Sequence, residues 1–354
     1  AFHCARMGLQ LVPDWPMDQL IDMNEYQEPK PVASVNGFDL GYDSLLACAW
    51  GRPTRAFGEM YKPFDSHRTV ARLPGPPYHF ISRVTEIDPE AQNAMRSGVD
   101  LTVEYDVPAD AWYFHENGAA VMPYAVLLEA GLQPCGWLAS YVGCALTRDD
   151  IDLAFRNLDG TTHHLLEVTP ETGTLQTKAR LLNIARAAGN IIVSFHVEMF
   201  AIDQPGSPKV MEMDTVFGFF PPESLASQVG VGKKPEFEEL FSRQSDVMVD
   251  LTARPAPFFD ASPQLAQPMM LMLDRFTGWW PEAGAAGLGQ ARAEKDVDPN
   301  EWFFKAHFFQ DPVQPGSLGL EALLQLLQVA MIQKGMGEGI EDARFEAIAT
   351  NIPM

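Results

Sequence analysis

The chain has 354 residues, of which 46% are hydrophobic and 20% charged, and this is enough apolar material for a large core, so a disordered chain is excluded. A formal charge of −22 at pH 7 opposes binding to a phosphate backbone, which requires clustered Lys and Arg, so nucleic acid is excluded as a partner. The length favours two domains or one large pseudo-symmetric one.

The first 75 residues carry no pattern that predicts a function, and we expect a separate leader or linker. The N-terminal segment lacks a basic region followed by an uninterrupted apolar stretch, so no signal peptide is predicted and the start resembles the middle of a longer protein. The chain has four cysteines: Cys4, Cys48, Cys135 and Cys144. They form no CxxC pair and have no histidine at zinc-ligand spacing, so we expect no metal site, no disulfide framework and a reducing, cytoplasmic location.

The segment 123–146 is the most apolar stretch of the chain and has nearly the length of a membrane span. It contains Glu129, Gln133 and Pro134, and a carboxylate in the middle of a bilayer costs several kcal/mol. We therefore predict a buried helix, with a kink at Pro134, and no membrane association.

This apolar segment belongs to an internal repeat. The first copy is DVPADAWYFHENGAAVMPYAVLLEAGLQ (residues 106–133), and the second is DVDPNEWFFKAHFFQDPVQPGSLGLEALLQ (residues 296–325). Each has an aromatic triplet and a proline, followed six residues later by Glu and ten residues later by Gln. Because Pro is tolerated at a helix start, the pattern predicts two helices that each carry Glu and Gln on one face.

Segments suited to strands precede both copies, and three β-rich segments, ending near Phe220, follow the first one. Each unit is therefore predicted to begin with a strand, to have the aromatic triplet at a strand end and to continue into a long helix. The predicted fold class is α+β, with a sheet that wraps the helix. The expected boundaries are residues 1–75 for the leader, 76–225 for the first unit, 226–267 for a linker rich in Pro and Gly, and 268–354 for the second unit.

The second unit has 40 residues from Pro315 to the end of the chain, whereas the first has 98 from Pro123 to Phe220. These 40 residues are too few to supply the strands that should follow the helix of the second unit. We expect the chain to be a piece of a longer polypeptide.

The segment HFFQDPVQPGSLGLEALLQLLQ, which begins at His307, contains the candidate chemistry. A histidine can act as a general base near neutral pH, and a buried carboxyl with a raised pKa can act as the acid. The segment resembles the active-site region of 3-hydroxyacyl thioester dehydratases related to the bacterial dehydratase-isomerase. This chain has the family's His and its DPVxPGxLG turn. It also has an acid fourteen residues after the His, Glu321, and a Gln four residues further, Gln325. The first copy is similar to the dehydratase region of polyunsaturated fatty acid and polyketide synthases.

The resemblance implies a double hot dog, in which two long helices lie side by side and each site takes its His from one unit and its acid from the other. It therefore implies that His307 works with Glu129, that Gln133 orients Glu129, and that the N–H of Gly316 steadies the thioester carbonyl. A second site would use Glu321, supported by Gln325.

Two alignments disagree about the base of this second site. Alignment on the aromatic triplets places Asn117 opposite His307, whereas alignment on the prolines places His115 there. We favour the aromatic alignment, which makes the second site degenerate and His115 a structural residue. Tyr124 stands where the other copy has Gly316, and its side chain would crowd a substrate. We expect His163 and His164 at a solvated hairpin tip and His196 in a strand, all without function.

The activity implied by the resemblance is dehydration of 3-hydroxyacyl chains, carried on the phosphopantetheine arm of acyl carrier protein, to trans-2-enoyl thioesters. No metal or redox cofactor is implied; the other domains of a multidomain synthase are expected partners, and a homodimer is possible. Three alternatives remain open: an enoyl thioester isomerase that uses the same residues, a hot-dog thioesterase, and a non-catalytic scaffold that docks acyl carrier protein.

Overall fold

A computed structural model describes residues 30–66, 68–228, 235–346 and 349–353. The expectations for Cys4 and for the N-terminal segment lie outside these residues. The helices are α1 (Tyr42–Ala49), α2 (Thr54–Phe57), α3 (Trp112–Glu116), α4 (Tyr124–Tyr141), α5 (Pro222–Ala226), α6 (Pro235–Ser242), α7 (Ala256–Phe259), α8 (Trp302–Ala306) and α9 (Gly316–Gln333). Short 3-10 helices cover Glu59–Asp65, Pro89–Ala91 and Cys144–Leu146.

The strands are β1 (Ser34–Val35), β2 (Phe38–Asp39), β3 (Arg83–Ile87), β4 (Val99–Asp106), β5 (Ala154–His164), β6 (Thr174–Ala187), β7 (Asn190–Ala201), β8 (Lys209–Phe220), β9 (Val249–Asp250), β10 (Arg275–Trp280), β11 (Gln290–Glu294) and β12 (Ala349–Pro353). They form a small hairpin, a three-stranded sheet and a seven-stranded sheet.

The first unit is an antiparallel seven-stranded sheet, in the order β12-β5-β8-β7-β6-β4-β3, wrapped around α4. Strand β7 shows why: its residues alternate strictly between buried and half-buried, so one face of the sheet meets the helix. Helix α4 has 17 of its 18 residues buried and runs through Pro134 without interruption. Gly131 allows the close approach, because a Cβ there would lie 2.5 Å from Cε of Met211 on β8.

The described part of the expected leader is packed into this first unit and does not form a separate element. Buried side chains from α1, α2 and the following 3-10 helix share one core with α4, and the Tyr61 hydroxyl donates a hydrogen bond of 2.5 Å to the Ser140 carbonyl. The apolar residues of this region explain the difference, because they pack against the second half of α4, where the ring of Phe57 lies 5.7 Å from that of Trp137.

The second unit places α9 against a three-stranded sheet in the order β11-β10-β9. Strand β9 comes from the predicted linker, so that segment contributes structure to the unit. Among the described residues after α9 there is one strand, β12, and it pairs with β5 of the first sheet. The second sheet therefore has fewer strands than the first within the described residues, and only five of the 18 residues of α9 are buried.

The repeat is visible in matching contacts. Arg83 pairs with Glu104 and Asp106 in the first unit, and Arg275 pairs with Glu294 and Asp296 in the second. The indole N–H of Trp112 donates to the Pro77 carbonyl and that of Trp302 to the Met269 carbonyl, at 3.1 and 2.9 Å. The two indole rings then meet edge to face, 5.6 Å apart, where the units join.

One local expectation was wrong: each aromatic triplet opens a short helix, α3 or α8, and does not end a strand. The backbone turns because Phe114 and Phe304 donate hydrogen bonds to the carbonyls three residues earlier, of Ala111 and Glu301. The turn lets consecutive aromatic side chains enter the core together, whereas a strand would have placed alternate rings in solvent.

Candidate active site

The two long helices lie side by side in opposite directions, and each places its Glu against the first turn of the other. The Ser317 hydroxyl, at the start of α9, donates a hydrogen bond of 2.8 Å to Oε1 of Glu129 on α4. Glu321 on α9 in turn accepts from the backbone N–H of Ala125, at the start of α4. The repeat therefore creates two related acid positions, both buried between the helices.

The glutamines one turn after these acids clamp the chain segments that lead into the sheets. Gln133 accepts from the Phe80 N–H at 2.8 Å and donates to the Tyr78 carbonyl at 2.9 Å. Gln325 accepts from the Met272 N–H and donates to the Met270 carbonyl, both at 2.7 Å. Gln325 also donates to Oε1 of Glu321 at 3.0 Å, and Gln133 makes a hydrogen bond to the Glu129 carboxyl. Each Gln fixes its unit and orients its acid.

His307 is the residue at which α8 ends, and its ring is buried. Its Nδ1 lies 3.0 Å from the Val313 carbonyl, and a carbonyl can only accept, so Nδ1 carries the proton. The neutral ring then has a lone pair on Nε2, which is the arrangement that a general base requires.

The loop that carries His307 is fastened to the first unit. Arg156 on β5 makes two hydrogen bonds to the Asp311 carboxylate, at 2.5 and 3.0 Å, and the Gly75 N–H donates to the Ala306 carbonyl at 2.8 Å. The ring of Phe308 packs against the core of the first unit. The loop of the second unit is therefore held on the unit that contributes Glu129.

Gly316 begins α9, and as the first residue of the helix its N–H has no partner within the helix. A Cβ at this position would meet no atom within 4 Å, so the space beside the backbone is open. A substrate carbonyl can approach this N–H, at the positive end of the helix dipole.

The corresponding place in the first unit differs at both residues. Asn117 ends α3 as His307 ends α8, and its Nδ2 donates to the Val121 carbonyl at 3.0 Å. Val121 and Val313 both lie two residues before the helix-starting proline, so Asn117 and His307 make the same contact. The structure follows the aromatic alignment, and His115 is exposed near the end of α3.

Tyr124 takes the place of Gly316 and is buried, with its ring 5.6 Å from that of His164. Both residues line a cavity of about 180 Å³ that also contains Asn117 and Glu321. The expectation for His164 was therefore wrong: β5 extends to this residue because its pairing with β8 continues to Met211. His163 lies in the same strand, and His196 on β7 pairs with Asp214 at 2.9 Å.

Burial sets the protonation of these groups. It raises the pKa of both Glu129 and Glu321 to about 7, since a charged carboxylate is unfavourable between the two helices. It lowers the pKa of His307 to about 4, because the imidazolium loses its hydration. At neutral pH the histidine is neutral and a carboxyl that can donate a proton is available.

Ser317 and Tyr78 also belong to the site, and sequence reasoning missed them. The Tyr78 hydroxyl lies 3.0 Å from the Ser317 hydroxyl, which donates to Glu129. In the other copy the matching residues are Met270 and Ala125, so Glu321 has no such hydroxyl chain. The contrast between PGS and PYA in the two copies was the available signal.

No cluster of His, Cys, Asp and Glu that could hold a metal ion occurs among the residues that the structure describes. Within the same residues, no helix combines the length and apolarity that a membrane span requires.

Comparison with known proteins gives the family. The model of the FabA-like domain matches residues 73–204 and 265–353, more than half of the chain and parts of both repeats. The chain therefore belongs to the FabA-like domain family, and its fold is an α+β double hot dog.

One curated relative is a subunit of the polyunsaturated fatty acid synthase of Thraustochytrium sp. (strain ATCC 26185 / S-3). It is 29% identical over 307 residues, which cover 80% of this chain and 20% of the relative. The chain thus spans about a fifth of the length of this much larger protein.

Two solved structures are similar to part of the chain. A point mutant of the fluoroacetyl-CoA-specific thioesterase FlK has a TM-score of 0.28 and 15% identity, over 38% of this chain and 95% of that protein. A hypothetical thioesterase with coenzyme A from Streptococcus pneumoniae TIGR4 has a TM-score of 0.26 and 15% identity, over 39% and 87%.

Proposed function

We propose that the chain is a dehydratase that converts 3-hydroxyacyl thioesters, carried by acyl carrier protein, to trans-2-enoyl thioesters. The observation that supports this most is the helix pair: Glu129 reaches the first turn of the helix that begins at Gly316, and the loop that carries His307 is fastened to the unit of Glu129. An acid, a base and a carbonyl-binding N–H thus come from two units around one helix start.

In the proposed mechanism, Nε2 of His307 removes a proton from C2 of the substrate. The N–H of Gly316 donates to the thioester oxygen as negative charge develops there. Glu129, protonated because burial raises its pKa to about 7, donates its proton to the C3 hydroxyl, which leaves as water. The C2–C3 double bond forms, and the proton on His307 returns to Glu129 through solvent before the next cycle.

The reaction uses groups of the chain alone, since the thioester itself acidifies C2, and we propose no metal or redox cofactor. The named relative belongs to a polyunsaturated fatty acid synthase, and this supports a place for the chain beside the other domains of such a synthase, in the cytoplasm. Acyl carrier protein is the proposed carrier because the substrate is a thioester.

The test is to incubate the chain with a 3-hydroxydecanoyl thioester of N-acetylcysteamine and to follow the product by mass spectrometry. Dehydration gives a product lighter by one water, and the same reaction in deuterated water shows exchange at C2. Release of free thiol would instead identify a thioesterase, a shift of the double bond to C3 would identify an isomerase, and unchanged substrate would support a scaffold.

A further inference from the structure

The cavity beside Glu321 has the features of a ligand site although its base is absent. Its volume of about 180 Å³ exceeds the ~150 Å³ of a cavity that accommodates a benzene molecule. One wall consists of apolar side chains of α9, from Leu324, Leu327 and Met331, and another is formed by the segment before α4. Leu327 is 58% exposed, so the cavity reaches the surface.

The polar end of this cavity contains a buried hydroxyl that the described residues leave without a hydrogen bond. Tyr124 is 3% exposed, and its hydroxyl makes no hydrogen bond within the part of the chain that the structure describes. Its polar neighbour is the Thr162 hydroxyl, a weak hydrogen-bond partner whose contact lowers the pKa of Tyr124 against a larger rise from burial. Neither hydroxyl has a hydrogen bond of ordinary geometry among the described residues. Native proteins rarely keep such a group without a purpose, because its lost hydration is not replaced. The Tyr124 hydroxyl can donate to an oxygen atom of a ligand.

The position of Tyr124 in the repeat indicates what this ligand is. In the other unit the same place belongs to Gly316, where a Cβ would meet no atom within 4 Å and the proposed thioester carbonyl has room to approach the backbone. Tyr124 therefore offers a phenol hydroxyl at the place where the site around Gly316 offers a backbone N–H. The walls provide apolar surface for a carbon chain, and Asn117, in place of His307, provides no base.

We propose that this cavity is a second acyl-binding site, which holds the acyl chain of a thioester with its carbonyl oxygen on the Tyr124 hydroxyl and does not dehydrate it. The choice of an acyl thioester rests on the proposed function, whereas the site itself rests on the cavity and the unpaired hydroxyl. A chain of this kind would hold one acyl group at the working site and another beside Glu321.

The probe is radiolabelled octanoyl-pantetheine with an amide in place of the thioester, which lacks a C3 hydroxyl and cannot be turned over. Equilibrium dialysis against the full chain should give two molecules bound per chain. Leu327→Trp fills the cavity and should remove one of them. Leu323→Trp is the matched control, because Leu323 is 64% exposed on the same helix and does not line the cavity, and it should leave both.

Tyr124→Phe keeps the ring and removes the hydroxyl, and it should weaken binding at the second site about tenfold, the effect of one lost hydrogen bond. Its circular dichroism and melting temperature should match those of the unaltered chain, and this variant keeps the test informative if Leu327→Trp does not fold. Binding that is insensitive to both substitutions, or no binding up to the solubility limit of the probe, would overturn the proposal.

The dehydration assay separates this inference from the proposed function. In His307→Ala the enoyl product should disappear. The probe molecule beside Glu321, which Leu327→Trp removes, should remain bound. A chain that never dehydrates but binds the probe beside Tyr124 refutes the proposed function and retains the second site. A chain that dehydrates and binds no probe sensitive to Leu327→Trp refutes the second site alone.

Discussion

Helices α4 and α9 share a Pro, Glu and Gln at identical spacing, yet their surroundings differ. Helix α4 lies in a seven-stranded sheet, with the N-terminal helices and α9 also packed on it, and all but one of its residues are buried. Helix α9 faces three strands within the described residues, and five of its residues are buried. The buried residues of α9 include Glu321 and Gln325, which face α4 and the clamped chain segment. The contact between the helices is therefore kept even where the sheet is less extensive.

A buried acid does not by itself distinguish the proposed working site from the second one. Burial raises the pKa of both glutamates to about 7, because both carboxyls lie between the same two helices. The two proposed sites differ in the residues at matching positions of the repeat: His307 against Asn117, Gly316 against Tyr124, and Ser317 against Ala125.

The largest effect should come from the proposed acid and base. His307→Ala and Glu129→Gln should each lower kcat/KM for dehydration by roughly 100- to 10,000-fold, the usual cost of losing a positioned acid or base. Glu321→Gln should be milder than Glu129→Gln, because Asn117 supplies no base on its side. Steady-state kinetics on the thioester, with circular dichroism to verify folding, measure these effects.

The two Glu→Gln variants control for each other, since each replaces one ionisable carboxyl by an amide at an equivalent place on a paired helix. A severe loss in Glu321→Gln together with near-normal rates in Glu129→Gln would show that acid and base belong to one unit. The assignment across the repeats would then be abandoned.

A smaller effect is expected from the ion pair that fastens the His307 loop. Arg156→Gln and Asp311→Asn should each lower kcat by roughly tenfold, because a displaced base aligns poorly with C2. The charges of both residues also act on His307, and Arg156 lowers its pKa while Asp311 raises it. The acid limb of the kcat/KM profile should therefore move to higher pH in Arg156→Gln and to lower pH in Asp311→Asn.

Exchange of the two residues, Arg156→Asp with Asp311→Arg, tests the pairing directly. Recovery of most of the lost kcat supports a positioning role for the ion pair. Identical shifts of the acid limb in the two single variants would contradict it, since a purely structural loosening has no dependence on the sign of the charge.

A still smaller effect should follow from loss of the Ser317 hydroxyl, which donates a hydrogen bond to Glu129. The kcat/KM profile should be bell-shaped: activity falls below about pH 4, where His307 becomes charged, and above about pH 7, where Glu129 loses its proton. The Ser317 hydrogen bond stabilises the carboxylate and lowers the pKa of Glu129, so Ser317→Ala should move the alkaline limb to higher pH. Ser224→Ala, on α5, is the control and should leave both limbs in place. An alkaline limb that moves to lower pH in Ser317→Ala would show that the hydroxyl favours the neutral acid.

The fold was predictable where the sequence repeats itself. The identical offsets of Pro, Glu and Gln predicted two helices with related acids, and the alternating segments after α4 predicted β6, β7 and β8. The short helices α3 and α8 were not predictable, because three consecutive aromatic residues suit a strand by propensity. Here they turn, and both Trp indoles bond to carbonyls far away in the sequence, which no local pattern reveals.

The candidate site was predictable where its residues belong to the repeated Pro, Glu and Gln pattern or to the segment that begins at His307. The positions of Glu129, His307 and Gly316 follow from the helix pair. The contacts of Ser317, Arg156 and His164 depend on tertiary packing between segments far apart in the chain, and no local spacing reveals them. His164 in particular looks like a loop residue until the full length of β5 is known.

The smallest effect should be that of His115→Ala. His115 is exposed near the end of α3 and corresponds to Lys305 of α8, which is also exposed. Neither side chain is buried between the two long helices. Surface substitutions of this kind change the free energy of unfolding by about 0.5 kcal/mol or less, and kcat should stay within experimental error of the unaltered chain. Urea unfolding and the dehydration assay measure the two quantities, with Lys305→Ala as the matched change in the other repeat. If His115→Ala abolishes dehydration while Lys305→Ala does not, the proline alignment describes the chemistry and the first unit holds the working base, even though Asn117 makes the same backbone contact as His307.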